Sequence, residues 1–97
     1  MSEMETMPVQ IKTPPQICLK VSFYSYFKDL TDCIDTTEIV AEGDTLVDLF
    51  EQLIRRFPRL GPMRNSTLIA VGLDYEDRNY VLKNKDEVSL FPPVQGG

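Results

Sequence analysis

The residues best suited to chemistry are the two glycines that close the run EVSLFPPVQGG. Gly96 and Gly97 lack Cβ atoms, so the backbone there can thread a narrow channel and adopt φ values closed to other residues. Pro92 and Pro93 fix φ and favour an extended, polyproline-like exit from a sheet. Residues 92–97 would then reach about 19 Å, at ~3.1 Å per residue. These residue types fit a carboxylate carried on a half-rigid arm into a site on another protein, and taken alone they fit a frayed terminus equally well.

Such a carboxylate is a poor acyl donor until it is activated, and the sequence offers little means of activating it unaided. The chain contains no histidine, which removes the commonest general base and any Ser-His or Cys-His nucleophile pair. We therefore expect no self-contained hydrolase. We interpret Asp74, Glu76 and Asp77 as a solvated turn and expect no metal site, because no convergent set of ligands is evident.

The net charge of the chain limits the kinds of partner that we expect. The 97 residues carry 15 acidic and 10 basic side chains, a net charge of −5. Nucleic acids and anionic membranes both attract basic surfaces. This balance therefore argues against either as a partner. It fits a protein partner with a basic docking surface, and it is also the ordinary charge of an acidic soluble protein.

The composition also predicts where the protein is found. No run of about 18 apolar residues is present, so we expect no membrane span. The acidic start, MSEMETMPVQ, does not resemble a secretory signal. Cys18 and Cys33 fit no zinc or redox spacing, so we expect two free thiols in a reducing, cytoplasmic compartment.

The pattern of apolar residues divides the chain into three segments. Residues 1–16 contain three prolines, scattered polar residues and no periodicity, which predicts a flexible N-terminal extension. Residues 17–91 carry the periodic segments and form the predicted domain. Residues 92–97 form the extended tail that ends in Gly-Gly.

Within the domain, a first strand is predicted where apolar and polar residues alternate through QICLKVSFYSYF. Its apolar face is Ile17, Leu19, Val21 and Phe23, and its other face is Cys18, Lys20, Ser22 and Tyr24. TTEIVAEGD predicts a second strand, TLIAVGL a third and EVSLF a last one, and a short strand is expected within residues 79–82. The segment FKDLTDCID is expected to turn, and PRLGPMRNS is expected to form a loop.

One helix is predicted over DTLVDLFEQLIRRFP. Its apolar stripe recurs at helical spacing and consists of Leu46, Leu49, Phe50, Leu53, Ile54 and Phe57. Asp44 or Thr45 can cap the start of this helix, and Pro58 stops it.

The order of these elements predicts the fold class. One amphipathic helix can cover one face of one sheet, which accounts for the one-sided alternation of the strands. We predict an α+β fold, the ubiquitin-like β-grasp, with a mixed sheet of four to five strands and one main helix packed on one face. Other small α+β sheets would fit the same pattern.

The end of the sequence also resembles a known family. The run KNKDEVSLFPPVQGG, with VSFYSYFKDLT near the start and LIAVG between them, resembles the small, sulfur-carrier subunits of molybdopterin synthase, the MoaD type of the MoaD/ThiS ubiquitin-like family. The resemblance covers roughly residues 17–97. Its most specific part is DEVSLFPPVQGG.

The resemblance implies a chemistry for the tail. A separate ATP-dependent enzyme would adenylate the Gly97 carboxylate, and a sulfur donor would displace AMP to leave a thiocarboxylate. That sulfur would pass to a pterin precursor in the large catalytic subunit, which builds the dithiolene of molybdopterin. The remaining tail residues, Pro92, Pro93, Val94, Gln95 and Gly96, would thread into that subunit. The implied assembly is a heterotetramer with two copies of each subunit, without a permanently bound cofactor.

Three departures from the family pattern concern loops and leave the tail untouched. The extension 1–16 is longer than the family core needs. Gly72 stands where the family commonly has asparagine, and Lys85 where it commonly has glycine. We expect Asn84 to take the left-handed backbone conformation in place of Lys85.

A docking surface is expected on the sheet face opposite the helix. Tyr24 on the first strand and Phe91 on the last should lie on that face, and these strands are neighbours in a β-grasp sheet. Exposed aromatic residues often mark interfaces, and the resemblance implies that both residues pack against the large subunit. Single exposed aromatic side chains are also common on surfaces without a partner.

Two other functions remain open. A thiamine-type sulfur carrier shares the fold and the Gly-Gly end, but it usually has a shorter chain and lacks the Phe-Pro-Pro-Val lead. A ubiquitin-like modifier would use the same acyl chemistry to join its terminus to lysine side chains. Intact-mass analysis separates carriers from modifiers, because a carrier gains sulfur at its end and a modifier forms isopeptide conjugates.

Overall fold

A computed structural model describes residues 14–93 of the chain. Residues 1–13, most of the predicted extension, lie outside the described residues, as do the tail residues Val94, Gln95, Gly96 and Gly97. The described elements are β1 (Gln16–Phe23), α1 (Phe27–Thr31), β2 (Asp35–Ala41), α2 (Leu46–Arg56), a 3₁₀ helix (Pro58–Met63), β3 (Leu68–Val71), β4 (Asp74–Tyr75) and β5 (Glu87–Phe91). No helix within residues 14–93 is long and apolar enough to cross a membrane.

The five strands form one sheet in the order β2-β1-β5-β3-β4. β1 runs parallel to β5, and the β1–β2, β3–β5 and β3–β4 pairs are antiparallel. The sheet is therefore mixed, and α2 is the one long helix that covers it. This arrangement confirms the predicted ubiquitin-like β-grasp fold of the α+β class.

The core lies between α2 and one face of the sheet. The alternation of β1 is confirmed, because Leu19, Val21 and Phe23 are almost fully buried and their neighbours face away. The helix contributes Leu46, Leu49, Phe50 and Leu53, all buried, while Ile54 and Phe57 of the predicted stripe are half-buried at its margin. Periodicity of two in the strands and of 3.6 in the helix thus identified the two surfaces that meet.

The start of α2 is held by a cap and by the loop that precedes β5. Thr45 is the N-cap, and the Asp48 carboxylate accepts hydrogen bonds from its N–H at 2.9 Å and its hydroxyl at 3.2 Å. The free N–H groups of Leu46 and Val47 donate to loop carbonyl oxygens, each at 3.1 Å. Asp44, the alternative cap, instead accepts a hydrogen bond from the N–H of Ala41. These contacts satisfy donors that a helix start leaves without intrahelical partners.

Two segments expected to be irregular form short helices. Within FKDLTDCID, α1 forms around the fully buried Phe27, whose carbonyl accepts a hydrogen bond from the Thr31 hydroxyl at 3.0 Å. The predicted loop PRLGPMRNS contains the 3₁₀ helix, which buries Leu60 and begins with Pro58. Neither helix is long enough to show a period in the sequence, so tertiary burial decides both.

The predicted short strand within residues 79–82 is wrong. The short strand is β4, five residues earlier, and Val81 makes only an isolated bridge to Thr45. Gly72, with a φ of 60°, opens a two-residue hairpin loop that places Asp74 opposite Val71. A glycine at the first central position is typical of a type II′ hairpin turn.

The prediction of a left-handed conformation at Asn84 is also wrong, because Lys85 adopts it with a φ of 73°. The Asn84 side-chain oxygen accepts a hydrogen bond from the Cys18 N–H at 2.8 Å. The Lys85 N–H donates to the Cys18 carbonyl, also at 2.8 Å. These two bonds clamp the turn to β1 and fix Lys85 in that conformation.

Candidate functional site

The root of the tail lies at one end of the sheet, where β5 finishes at Phe91. Pro92 and Pro93 follow directly and are half-buried. Proline cannot donate to a sheet ladder, so the strand ends where the diproline begins. The described part of the tail is thus anchored, and Gly97, predicted to carry the chemistry, lies beyond it.

An aromatic cluster surrounds this root on the sheet face opposite α2. The rings of Tyr24 and Phe91 are stacked, with centroids 4.7 Å apart and planes 8° from parallel. Tyr75 meets the same phenylalanine edge-on, with centroids 6.2 Å apart and planes at 65°. Both arrangements are favourable for aromatic pairs. The predicted proximity of Tyr24 and Phe91 is confirmed, and their binding of a partner stays a prediction.

The sheet register brings the three members of the aromatic cluster together. Phe91 lies opposite Leu68 of β3, and Tyr75 of β4 lies opposite Ala70 of the same strand. Tyr24 follows the last residue of β1, and its N–H donates to the carbonyl of Leu90 at 3.1 Å. Three strands therefore each place one ring at the same end of the sheet.

Tyr75 was missed by the sequence reasoning. A two-residue strand is too short to show alternation, and the acidic residues on both sides of Tyr75 are interpreted from the sequence as a solvated turn. The signal that could have found Tyr75 is Gly72, because a tight hairpin there folds the following residues back over β3.

The exposure of the cluster suits contact with another protein. Tyr24 is 44% exposed and Tyr75 is 69% exposed, while Phe91 is half-buried between them. Leu68, half-buried on the same face, extends the apolar surface. Tyrosine hydroxyls at the rim and apolar rings inside resemble the composition of protein interfaces.

The opposite end of the same face carries an open groove of about 280 Å³. It is lined by Cys18, Leu19, Lys20, Thr37, Asn84, Lys85 and Glu87. Cys18 is exposed, and neither it nor Cys33 is joined in a disulfide. Residues 14–93 hold no group of three or more His, Cys, Asp or Glu side chains that could bind a metal ion. The groove therefore adds no evident chemistry to that of the tail.

Comparison with known proteins gives a family and several relatives that share one name. Residues 21–97 match the ThiS family. The chain is 24% identical over 93 residues to the molybdopterin synthase sulfur carrier subunit of Arabidopsis thaliana, in an alignment that covers 96% of this chain and 97% of that protein. It is 27% identical over 86 residues to the Homo sapiens protein of the same name, covering 86% of this chain and 98% of that one.

Solved structures share the fold. A candidate molybdopterin converting factor subunit 1 from Pyrococcus furiosus superposes with a TM-score of 0.74 at 26% identity, covering 80% of this chain and 99% of that one. The modifier protein SAMP1 from Haloferax volcanii gives the same TM-score at 17% identity, covering 82% and 99%. At that lower identity the likeness shows the fold alone.

Proposed function

The chain belongs to the ThiS family, and from that membership we propose that it is the sulfur-carrier subunit of a molybdopterin synthase. The observation that carries the proposal is the extent of the family match, which runs to Gly97. That glycine is the residue that would bear the sulfur. The chain itself would be a co-substrate, and catalysis would reside in the proteins that load and unload it.

The proposed chemistry has two loading steps. The Gly97 carboxylate oxygen attacks ATP bound to a separate activating enzyme, forming an acyl-adenylate and releasing pyrophosphate. Hydrosulfide, as the sulfur nucleophile, then attacks the acyl carbon, AMP leaves, and loss of the S–H proton gives the thiocarboxylate. ATP is thus consumed in loading and is not a resident cofactor of this chain.

Unloading requires the large catalytic subunit. The tail, Pro92 to Gly97, would enter that subunit and present the thiocarboxylate to a pterin precursor, and burial would exclude water from the reacting sulfur. The aromatic cluster at the tail root would pack against the same subunit. The complex would contain two copies of each subunit, in the cytoplasm.

The names of the relatives favour this proposal over the thiamine-type alternative. Both the plant and the human relative are called sulfur carrier subunits of molybdopterin synthase, and each aligns over nearly its whole length. The likeness to SAMP1 is a likeness of fold and does not favour the modifier alternative.

The decisive experiment loads the carrier in vitro. The protein, supplied with ATP, an activating enzyme and a sulfur source, should gain the mass of one oxygen-to-sulfur replacement. A variant with one alanine added after Gly97 should gain none while keeping the parent melting temperature. A variant with the alanine added before Met1 is the matched control and should load normally.

Loading of the C-terminally extended variant would contradict an acyl mechanism at Gly97. Addition of the large subunit and pterin precursor to loaded protein should then yield the dithiolene, which a thiamine-type carrier would not supply. Isopeptide conjugates to lysine in place of sulfur transfer would support the modifier alternative.

A further inference from the structure

The direction in which the tail leaves the sheet is set by very few residues. Phe91 is the last residue of β5, and Pro92 and Pro93 follow it. Each proline fixes its own φ, and a residue before proline is confined to extended conformations. The course of residues 91–93 therefore follows the end of β5. Contacts that fix the position of Phe91 also fix the direction in which Pro92 and Pro93 leave the sheet.

The backbone ladder on the β1 side of β5 ends beside Phe91. The last bond on that side joins the Tyr24 N–H to the Leu90 carbonyl at 3.1 Å. Pro92 has no N–H to make the next one. The Tyr24 carbonyl that would accept it instead accepts the N–H of Phe27, at 3.1 Å. Ser25, with a φ of 57°, turns the chain away from the sheet at this point.

On the β3 side the ladder continues to the end of the strand. Phe91 lies opposite Leu68, and the Gly72 N–H donates to the Glu87 carbonyl at 2.9 Å. Hydrogen-bonded pairs alternate along an antiparallel ladder. Residues 87, 89 and 91 therefore direct their backbone groups to β3, and the Phe91 N–H pairs with Leu68. The tail root is thus held by a backbone ladder on one side only.

Aromatic rings contact Phe91 on the sheet face, next to the point where the β1–β5 ladder ends. Tyr24 lies flat against Phe91 on the β1 side, and Tyr75 abuts its ring from β4. Phe91 is the least exposed of the three, since the two tyrosines screen it. A residue whose only role was to anchor a partner would present its whole ring to that partner, whereas the Phe91 ring is half-buried against Tyr24 and Tyr75.

We propose that Tyr24 and Tyr75 are positioning residues that contact the Phe91 ring and so hold the tail root, residues 91–93, in one direction before any partner binds. The inference rests on the proposed function for its consequence, which is delivery of the terminus to its acceptor. The contact of the two tyrosine rings with Phe91 is a property of the isolated protein. Tyr75, on the most exposed strand, acts in this role together with Tyr24.

The first test uses the full-length protein alone. Hydrogen exchange of the Phe91 amide reports opening of the tail root. Tyr24→Leu and Tyr75→Leu should each speed that exchange about two- to tenfold, the range expected for loss of one aromatic pair. Tyr24→Phe and Tyr75→Phe retain the rings and should keep the slow exchange. Amides of Leu19 and Val21 serve as internal controls for general loss of stability.

The second test distinguishes a role of the two tyrosines in directing the tail from a role in binding the large subunit. Single-turnover sulfur transfer from loaded carrier is measured at saturating large subunit, alongside the dissociation constant of the complex. A role in directing the tail predicts a lower transfer rate at saturation for both leucine variants, because a tail that points elsewhere enters its channel less often. Ile39→Ala, an exposed apolar residue on a distant part of the same face, is the matched control.

Faster Phe91 exchange with a lower saturated rate supports the proposal. Unchanged exchange of the Phe91 amide in both leucine variants overturns the proposal. A change in the dissociation constant without a change in the saturated transfer rate also overturns it, because binding of the large subunit would then be the only role of the two tyrosines. If wild-type protein never acquires sulfur, the proposed function fails. The exchange measurement alone then decides whether Tyr24 and Tyr75 hold Phe91 in place.

Discussion

A single hydroxyl ties together the loop that precedes β5. The Tyr80 hydroxyl donates to Oδ2 of Asp86 at 3.0 Å, and the same oxygen accepts the Lys83 N–H at 2.8 Å. The Lys83 ammonium lies 4.8 Å from the centroid of the tyrosine ring. Burial raises the pKa of Tyr80 above its ordinary value of 10.0, and the hydrogen bond to Asp86 and the charge of that carboxylate raise it further.

This raised pKa predicts a loss of stability in alkali. The folded state holds the Tyr80 proton more tightly than the unfolded state, so the contribution to stability is fully present below pH 10 and is lost as the pH rises through the folded pKa. Urea unfolding across this range should show a steeper decline for the parent than for Tyr80→Phe. Equal declines would show that Tyr80 titrates alike in both states.

Lys85 shows strain at a single residue. A non-glycine residue in the left-handed region costs roughly 1–2 kcal/mol, and Lys85 is held there by its bond to Cys18. Lys85→Gly should therefore raise the free energy of unfolding by about 0.5–1 kcal/mol, after the extra entropy of glycine in the unfolded chain is deducted. Lys85→Ala keeps the Cβ atom and serves as the control that should show no such gain in denaturant unfolding.

At the scale of elements, β2 and α2 are joined by a buried carboxylate. Glu38 of the edge strand β2 is 2% exposed and forms an ion pair with Arg56 of α2. Gln52 Nε2 donates to the same carboxylate at 2.8 Å and to the Ile39 carbonyl at 3.2 Å. An inward-pointing charge on an edge strand also discourages pairing with a further strand.

Removing either partner of this pair should destabilise the fold unequally. Arg56→Leu leaves the Glu38 carboxylate buried and poorly compensated, at a cost of about 2–4 kcal/mol. Glu38→Gln leaves Arg56, whose side chain is 48% exposed, free to be solvated, so the cost should be about 1–2 kcal/mol. Thermal and urea unfolding would measure both, with Arg55→Leu on the exposed side of the helix as control. A larger loss for Glu38→Gln would contradict this account.

The elements that the sequence predicted well are those long enough to show a period. β1 and α2 each repeat their apolar spacing several times, and α2 adds a cap at Thr45 and a stop at Pro58. α1, the 3₁₀ helix and β4 span only one or two turns or one residue pair, so contacts made by Phe27, Leu60 and the Gly72 hairpin decide them. Tyr75 was missed with β4, although Tyr24 and Phe91 were correctly placed as neighbours.

At the scale of the whole molecule, the net charge of −5 predicts how the protein meets its partner. Attraction between an acidic carrier and a basic docking surface speeds association, and salt screens it. The association rate constant with the large subunit should fall as NaCl is raised, while the dissociation rate changes less. Stopped-flow mixing measures both rates, with sucrose at matched viscosity as control. An association rate that does not respond to salt would contradict a basic docking surface.

The overall topology could be inferred because its parts agree. A hairpin, a crossover helix and a returning last strand fit one sheet with one covered face, and the resemblance at the tail favoured the same fold. The contacts of Tyr24 and Tyr75 with Phe91 could not be inferred in this way, since they depend on where the chain turns away from the sheet at Ser25 and on the register of β4.

The parallel pairing of β1 with β5 has a consequence for how the chain folds. The first and last strands, 16–23 and 87–91, are neighbours at the centre of the sheet, so the contact that completes the sheet has a large sequence separation. Such topologies fold slowly relative to helical bundles of similar size. A polypeptide interrupted before Glu87 would lack the strand that joins the two hairpins. Only a molecule synthesised through β5 can assemble this sheet, so a fragment that ends earlier would lack both the central strand and the root of the tail.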